Sequence, residues 1–373
     1  MIGGHGGNIY ELAERLKCFP SDIIDMSSNL NPLGPPEGLW AFLTENLSVI
    51  TALPEANAGG INHAFAEFHG ISNDSVLAGN GTTQFIHAIP NVLKSRNALI
   101  LGPTYADYAD ACRMQDIPFK LLMTRAEDGF QADIRKLDRA LEGVDTFFIC
   151  NPNNPTGTTV SAESLENLIK RHSDTFFIVD ESYLPFAPTG DRLSLIGNRS
   201  NNLIILSSMS KIFRIPGLRI GFVVASEKVI QRFMNYYQPW SVNSLAQAAV
   251  SYLMFYGKTT REFIRSSREF INREKIRFLQ FFSQIKEVTF FPSSTSFILG
   301  RLSNMKAYDI CGQLAMERML IRDCTNFEGL SDRYIRISLK TGDINRLAAE
   351  KLLRILAPAG AANGAFDKRP GPI

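Results

Sequence analysis

The sequence predicts an α/β protein, with a large domain built on a mostly parallel sheet and a smaller α+β domain after it. Short apolar runs recur between residues 97 and 224, and several of them end in Gly, Pro or Asn. Amphipathic segments such as 162–172 (AESLENLIKRH) alternate with these runs and predict the intervening helices. Around residues 245–285 the pattern becomes helical, and strand-like runs beside helical segments follow. The first alternation is typical of a parallel sheet covered on both faces.

The chain divides into four predicted regions. Residues 1–40 form an arm, whose proline-rich stretch MSSNLNPLGPP indicates an extended path, and we expect it to pack on the small domain and the active site. Residues 41–250 form the large domain, and residues 251–357 form the small one. Residues 358–373 are rich in Gly, Ala and Pro with almost nothing to bury, so we expect a loose tail.

Strands are predicted where the apolar runs are short and continuous. In the large domain they are residues 97–101, 146–150, 176–179, 203–206 and 220–224. In the small domain they lie in VTFFP, SFILGRL and YIRISL, beside helices at 306–319 and 343–356.

Composition and charge limit the possible classes of function. The 39 Lys and Arg against 37 Asp and Glu leave a net charge of +2, which supplies no broad basic field for nucleic acid or a membrane surface. Five scattered cysteines without a C-x-x-C pair argue against a disulfide framework and a zinc site, and no metal is expected. No stretch approaches the roughly 18 apolar residues of a membrane span. We therefore expect a cytoplasmic protein that acts on small molecules.

The residues around Lys211 form an unusual segment for a lysine. Residues 207–222 read SSMSKIFRIPGLRIGF, which places Lys211 among small hydroxyl residues, with Arg219 eight positions later. The apolar run 203–206 before it predicts a buried strand, so Lys211 follows the end of that strand. Ligands of open α/β sheets bind at the carboxyl ends of strands. Lys211 is a candidate functional residue, and a loop lysine near a strand end is the other interpretation.

Four further stretches at strand ends offer groups that a lysine-bound pyridoxal phosphate needs. They are GNGTT at 79–83, GPTY at 102–105, NPNNPTG at 151–157 and DESY at 180–183. The Gly-rich turn opens a predicted helix, so its backbone N–H groups and the helix dipole suit a phosphate. The hydroxyl groups of Thr82 and Thr83 add donors to that turn.

Asp180 follows an apolar strand, where an ionised carboxylate is costly without a cationic partner. A protonated pyridine nitrogen is such a partner and keeps the ring an electron sink; a helix N-cap or loop carboxylate is the alternative. Tyr183 and Asn154 can direct polar tips at the ring hydroxyl, and Tyr105 offers a flat face for stacking. Both tyrosines can instead be core aromatic residues.

These motifs resemble those of the aspartate-aminotransferase-type (fold type I) pyridoxal-phosphate enzymes. G-N-G-T-T, N-P-N-N-P-T-G, D-E-S-Y, S-M-S-K and P-G-L-R-I-G occur in that family's order across most of the chain. The resemblance implies an aspartate-aminotransferase-like fold and a homodimer with its sites at the interface. It also implies that Lys211 forms the Schiff base, that Asp180 pairs with the pyridine nitrogen and that Tyr183 acts beside them. The implied cofactor ligands are Gly81, Thr82, Thr83, Tyr105, Asn154, Asp180, Tyr183, Ser208, Ser210, Lys211 and Arg219.

Within that family, four stretches resemble the threonine-phosphate decarboxylases of cobalamin biosynthesis, near relatives of the histidinol-phosphate aminotransferases. They are HGGNI at 5–9, SNLNPLG at 28–34, PWSVN at 239–243, and LIRDC at 320–324 leading to YIR at 334–336. The implied reaction is decarboxylation of L-threonine O-3-phosphate, or of L-serine O-phosphate, to the aminoalkyl phosphate.

A phosphorylated amino acid brings two anions to the site, and their placement decides which bond breaks. Arg322 and Arg336 are the candidate ligands because a guanidinium suits carboxylate and phosphate alike. His5 and Asn29 of the arm, with Asn154, complete the substrate set. A disordered terminal histidine is the alternative for His5.

Two positions depart from the family pattern. Leu53-Pro54 stands where members commonly carry Tyr-Pro, whose tyrosine reaches the cofactor phosphate of the dimer partner, and Gln84 stands where the decarboxylase has a glutamate. A histidinol-phosphate-type aminotransferase is the alternative function, since it uses the same cofactor residues. A non-catalytic ligand sensor is the second alternative, but such regulators append a helix-turn-helix, for which the arm is too short and too polar.

Overall fold

The computed structural model describes residues 6–356, so His5 and the predicted tail at 358–373 lie outside the described residues. Within this range, none of the helices combines the length and the apolar character needed to cross a lipid bilayer. The cytoplasmic location expected from the sequence stays a prediction.

Strands in the described range form three sheets. They are β1 Ile24–Asp25, β2 Val76–Gly79, β3 Ala98–Gly102, β4 Phe119–Met123, β5 Thr146–Cys150, β6 Phe176–Asp180, β7 Leu203–Ser208, β8 Gly221–Ala225, β9 Val288–Phe290, β10 Phe297–Leu302, β11 Met319–Leu320, β12 Arg322–Asp323 and β13 Tyr334–Ser338.

Helices connect and cover these strands. They are α1 Ile9–Leu16, α2 Leu39–Glu45, α3 Gly59–His69, α4 Thr82–Leu93, α5 Asp107–Arg113, α6 Ile134–Ala140, α7 Ala162–Arg171, α8 Gly190–Leu193, α9 Met209–Ile212, α10 Glu227–Met234, α11 Ser244–Phe255, α12 Gly257–Gln280, α13 Ala307–Met316 and α14 Gly342–Leu356.

A seven-stranded sheet in the order β2-β8-β7-β6-β5-β3-β4 forms the centre of the larger part of the molecule. The pairs from β4 to β7 are parallel, whereas β8 runs antiparallel to both β2 and β7. The predicted mostly parallel sheet is therefore confirmed. Gly221 lies opposite both Gly79 and Ser208, and Asp180 lies opposite Leu206. The strand ends that carry the sequence motifs thus meet at one edge of this sheet.

Local patterns explain these elements. All five residues of β5 are buried, as a continuous apolar run in a doubly covered sheet requires. Helix α7 begins after Ser161, whose hydroxyl accepts a hydrogen bond from the N–H of Ser164 at 3.2 Å. Leu165, Leu168 and Ile169 share one face of α7 and pack into the large core. The helical period that predicted α7 is thus the period of its buried face.

The smaller sheet, β12-β13-β10-β9, is antiparallel and belongs to a separate core with α13 and α14. The arm is fastened to this part of the molecule, because β1 pairs in parallel with β11 and the N–H of Ser338 donates to the carbonyl of Met26 at 2.8 Å. Five strands were not among those predicted from the sequence. The strands β1, β11 and β12 have two residues each, which is too short for a periodic signal, and β2 and β4 were also missed. The domain boundaries drawn from the sequence stay predictions.

Candidate active site

Lys211 lies in α9, the single helical turn that follows β7, and lines a cavity at the motif-bearing edge of the large sheet. The cavity is open on one side, and its empty volume is about 630 Å³ including the solvent at its mouth. Its lining contains every residue that the sequence assigned to the cofactor: Gly81, Thr82, Thr83, Tyr105, Asn154, Asp180, Tyr183, Ser208, Ser210, Lys211 and Arg219. The fold therefore brings this whole set to one place.

The start of α4 forms the end of the cavity that suits an anion. Gly81, the residue before α4, has a φ of +75°, and a Cβ added there would lie 2.6 Å from Nη2 of Arg219. Only glycine therefore lets the turn and the guanidinium come this close. A Cβ at Gly221 would likewise lie 2.7 Å from the backbone nitrogen of Thr82, and Ser208 is the strand partner of Gly221. Helix N–H groups, hydroxyls and one cation thus meet as a phosphate requires.

The two departures from the family pattern, Gln84 and Leu53, differ in consequence. Gln84 closes the turn, because its Oε1 accepts a hydrogen bond from the N–H of Asn80 at 2.6 Å. Leu53 is 77% exposed and does not line the cavity. Asn243 of the PWSVN stretch donates to the carbonyl of Leu218 at 2.8 Å, so it braces the loop that carries Arg219. The turn is closed without a glutamate, whereas the exposed Leu53 makes no contact with the cavity of its own chain.

Asp180 ends β6 and is only 4% exposed. Its Oδ2 accepts a hydrogen bond from the hydroxyl of Tyr108 at 2.8 Å, and its Oδ1 accepts one from the N–H of Ser182 at 2.9 Å. Both donors are neutral, and burial raises the pKa of Asp180 above its ordinary value. A cation beside this carboxylate would offset the cost of burying its charge, which is what a protonated ring nitrogen supplies.

Three residues of the lining were not singled out from the sequence: Tyr108, Cys150 and Ser182. Tyr108 is the most informative, because it is buried, stacks on Phe148 with 5.6 Å between ring centroids and fixes the orientation of Asp180. Its signal in the sequence was its position three residues after Tyr105, at the start of a helix that follows a strand end. Spacing alone could not show that Tyr108, which follows β3, reaches Asp180 at the end of β6, with β5 between these two strands in the sheet.

The amine of Lys211 is disposed to react as a nucleophile. Burial lowers the pKa of Lys211 below its ordinary value, and the nearby cations Arg219 and Arg336 act in the same direction. Asp180 opposes this shift. The neutral amine is the form that bonds covalently to a carbonyl carbon, so the site favours the reactive state of the lysine.

Hydrogen bonds join the arm to the opposite wall of the cavity. The side-chain amide of Asn29 donates to the Tyr183 hydroxyl at 3.1 Å and accepts from the hydroxyl of Ser338 at 2.6 Å. Arg336 donates through Nη1 to Oδ1 of Asn154. Burial raises the pKa of Tyr183 to about 12, although Arg336 opposes the shift. Asn29, Asn154, Tyr183 and Arg336 therefore form one buried polar cluster beside the cavity.

Arg322 and Arg336 lie directly opposite each other on the antiparallel strands β12 and β13. Directly opposite residues share one face of a sheet, and two like charges there repel unless an anion lies between them. Burial lowers the pKa of both guanidinium groups, and Arg336 adds to the shift at Arg322. Arg322 also lines the neighbouring groove beside Gly6. His5, the remaining member of the predicted substrate set, lies outside the described residues.

The family model described as aminotransferase class I and II matches residues 21–352. The chain belongs to this family. It is 32% identical to the threonine-phosphate decarboxylase of Salmonella typhimurium, over 95% of the chain and 98% of that protein. It is 30% identical, over 92% of its length, to the adenosylcobalamin biosynthesis bifunctional protein CobDQ of Leptospira interrogans, but it spans only 40% of that protein. Identity to the histidinol-phosphate aminotransferase of Methanocaldococcus jannaschii is 26%, over 93% of the chain and 91% of that protein.

Solved structures agree with the family assignment. The L-threonine-O-3-phosphate decarboxylase of Porphyromonas gingivalis superposes with a TM-score of 0.81 at 30% identity, covering 90% of this chain and 99% of that one. An aspartate aminotransferase mutant of Thermus thermophilus gives a TM-score of 0.77 at 19% identity, covering 89% and 96% of the two chains, and it shows the fold alone. The predicted aspartate-aminotransferase-like fold is confirmed.

Members of this family are pyridoxal-phosphate enzymes, and the cavity fits that cofactor. The α4 turn with Arg219 suits its phosphate, and Asp180 suits its ring nitrogen. Lys211 lines the same cavity and offers the amine for a covalent bond to the cofactor. The individual roles assigned to these residues stay predictions.

Proposed function

We propose that this protein is a pyridoxal-phosphate-dependent decarboxylase of L-threonine O-3-phosphate or L-serine O-phosphate. The product is the aminoalkyl phosphate that serves as the nucleotide-loop linker in cobalamin biosynthesis. The observation that carries the proposal is the facing pair Arg322 and Arg336, because a phosphoamino acid brings two anions to two cations. Neither arginine lines the cofactor-type cavity itself, but Arg336 donates to Asn154 in its wall, and Arg322 lines the neighbouring groove. The relatives named threonine-phosphate decarboxylase, at 32% and 30% identity, support it.

The first task of the chain is to hold the substrate in one orientation. Arg322 and Arg336 bind the carboxylate and phosphate groups, and Asn29 and Asn154 supply polar contacts from the arm and the large domain. For decarboxylation these residues would have to hold the substrate's carboxylate in one fixed direction, so that the carboxylate is the group that leaves the α-carbon. The positions of the two guanidinium groups therefore determine the reaction.

The second task is to manage charge and protons at the reacting carbon. Pyridoxal phosphate, when bound, supplies the electron sink that accepts the electron pair of the broken bond. Asp180 would hold a protonated ring nitrogen of that cofactor, and the hydroxyl of Tyr108 holds Asp180 in place. Lys211 or a nearby acid supplies the proton that replaces the departed carbon dioxide on the α-carbon. One carbon dioxide leaves and one proton is gained, so no keto-acid acceptor is needed.

The test is to incubate the purified holoenzyme with each phosphoamino acid and measure carbon dioxide and the aminoalkyl phosphate. We expect both products without any added keto acid. The proposal is wrong if neither compound yields carbon dioxide while histidinol phosphate is converted with 2-oxoglutarate as acceptor.

That outcome would establish the alternative, a histidinol-phosphate-type aminotransferase. The 26% identity to the enzyme of that name favours this alternative over others, and glutamate would also present two carboxylates to the arginine pair. Binding of phosphoamino acids without turnover of any of these substrates would instead point to a ligand sensor.

We also propose that the protein is a homodimer. Trp40, Ile50, Leu53 and Trp240 are each more than half exposed. They lie on neighbouring segments, since the N–H of Trp240 donates to the carbonyl of Ala56 at 2.9 Å. An apolar face of this kind is typical of an interaction surface. Light scattering should give twice the chain mass, and Ile50→Glu should shift the protein towards the monomer; a monomeric wild type would contradict the proposal.

A further inference from the structure

The carboxylate of Asp25 collects an unusual number of hydrogen bonds from the two serines that follow it. Ser27 donates to Oδ1 through its N–H at 2.8 Å and its hydroxyl at 2.7 Å. Ser28 donates to Oδ1 through its N–H at 3.1 Å and to Oδ2 through its hydroxyl. Four donors on one carboxylate fold residues 25–28 into a tight turn and fix the direction of the carbonyl groups of that turn.

Those carbonyl groups accept hydrogen bonds from two buried cations, Arg336 of β13 and Lys340 just after that strand. The carbonyl of Ser27 accepts a hydrogen bond from Nη2 of Arg336 at 2.7 Å, and the carbonyl of Ser28 accepts one from Nζ of Lys340 at 3.1 Å. Arg336 and Lys340 are 4% and 8% exposed. The two serines that donate to the Asp25 carboxylate are therefore the same residues whose carbonyl groups accept from Arg336 and Lys340.

Arg336 has few other restraints within residues 6–356. Nη1 donates to Asn154, Nη2 donates to Ser27, and Nε is buried without a hydrogen-bond partner in this part of the chain. The aromatic ring of Phe297 lies 5.2 Å from the guanidinium carbon and restrains the plane of the group rather than its direction. The Ser27 carbonyl is therefore one of two acceptors that aim this guanidinium.

We propose that Asp25 is the positioning residue of Arg336, acting through the backbone of Ser27 and Ser28. The inference rests on the proposed function only in taking Arg336 as a substrate ligand. Asp25 holds the turn, the turn aims Arg336, and Arg336 orients the anion of the substrate.

The hydrogen bonds of Ser27 also connect Asp25 to the beginning of the described chain. Its hydroxyl, which donates to Asp25, also accepts a hydrogen bond from the N–H of Gly7 at 2.7 Å. A Cβ added at Gly6 would lie 2.7 Å from the Ser27 carbonyl oxygen, so the chain passes directly against the acceptor of Arg336. Asp25 therefore also sets the path of residues 6 and 7 beside Arg322.

The experiment is a double-mutant cycle of Asp25→Asn with Arg336→Ala, read as kcat/KM of the holoenzyme. Asparagine keeps the size of the side chain but replaces one acceptor oxygen by a donor, so it disrupts the hydrogen bonds at that position. We expect Asp25→Asn to lower kcat/KM by about tenfold, the effect of roughly one lost hydrogen bond to a charged group, and to leave the absorbance of the bound cofactor unchanged. In the Arg336→Ala background the same change should cost less than about twofold, because the residue through which Asp25 acts is gone.

Asp22→Asn is the matched control, since Asp22 is in the same arm, and its carboxylate accepts from the N–H of Phe19 at 3.0 Å and lies 3.9 Å from Nη1 of Arg318. It should behave as wild type. Equal losses from Asp25→Asn in both backgrounds would show a general structural role and overturn the proposal, as would no loss at all. If Asp25→Asn fails to fold, Ser28→Ala, which removes one donor, replaces it in the same cycle with a smaller expected loss.

The cycle also separates this inference from the proposed function. If the wild type releases no carbon dioxide, the cycle is run with histidinol phosphate and 2-oxoglutarate, which tests Asp25 under the alternative function. If neither substrate is turned over, the cycle is run on the affinity of the holoenzyme for inorganic phosphate, measured by calorimetry. Non-additive losses support the role of Asp25 in each case, and additive losses overturn it.

Discussion

The cofactor end and the substrate end of the candidate site are built from the chain in opposite ways. At the cofactor end, Asp180 ends β6 and Lys211 follows the neighbouring parallel strand β7, so each is placed by the apolar run directly before it. At the substrate end, Asn29 and Ser338 share a hydrogen bond although they are 309 positions apart. A strand end is a local feature, whereas the substrate end exists only after the arm has joined the small sheet.

This difference predicts that substitutions at the two ends will have different effects on the protein. A change at the cofactor end alters chemistry that the cofactor performs on every substrate. A change at the substrate end leaves the cofactor in place and alters only where the anions of the substrate are held. Absorbance of the bound cofactor and steady-state kinetics therefore distinguish the two ends.

The largest effect is expected from Lys211→Ala. Turnover should stop, and the visible absorbance of the lysine-linked cofactor should disappear, because the covalent anchor is removed. Absorption spectra of the purified protein and product assays check both results, with Lys170→Ala on the exposed surface of α7 as the control. An unchanged spectrum would remove Lys211 from the cofactor assignment.

Asp180→Asn should retain the bound cofactor and lower kcat by about 10²–10³-fold, in the range of a lost electrostatic contact in the transition state. The neutral amide no longer favours a protonated ring nitrogen. Asp174→Asn, at the exposed segment before the same strand, is the matched control. Near-normal turnover would mean that Asp180 has a structural role only.

Arg336→Ala should keep the cofactor absorbance and lower kcat/KM by about a hundredfold, since a displacement of about 1 Å in the reacting group can cost that much. Both KM and kcat should change, because the guanidinium binds and orients the same anion. The control is Arg333→Ala, an exposed arginine beside β13 that donates to the carbonyl of Ser303. Loss of cofactor absorbance in Arg336→Ala would contradict the separation of the two ends.

The smallest expected effect is on the pH dependence of the free energy of unfolding, and it comes from Glu181, the residue after Asp180. Glu181 is buried and accepts hydrogen bonds from the N–H of Leu195 at 2.7 Å and the hydroxyl of Ser194 at 2.8 Å. Burial raises the pKa of Glu181 from 4.5 to about 7. Between these values the folded state binds more protons than the unfolded state, so the free energy of unfolding should fall as pH rises from 4.5 to 7, by on the order of 3 kcal/mol.

Glu181→Gln should remove this pH dependence, because glutamine does not titrate. Urea unfolding of the apo protein at several pH values measures it, and exposed Glu163→Gln should keep the wild-type slope. A variant slope equal to that of the wild type would contradict the raised pKa of Glu181.

The sequence by itself determined the fold class, because a mostly parallel sheet needs strands that are apolar on both faces, and such strands are visible as continuous runs. The same runs placed Lys211, Asp180 and the Gly81 turn at strand ends, where the structure brings them together. Two-residue strands such as β1 and β12 escaped prediction, since they leave no period to detect.

Only the tertiary structure decided which distant side chains meet. The contact of Tyr108 with Asp180 depends on the order of strands in the sheet, and the register of β12 against β13 puts Arg322 opposite Arg336. The turn at Asp25 reads in the sequence as an ordinary polar loop. It became part of the site because its carbonyl groups hold Arg336 and Lys340 after the arm docks. Hydrogen bonds between segments this far apart leave no local pattern, because each partner is satisfied only in the folded chain.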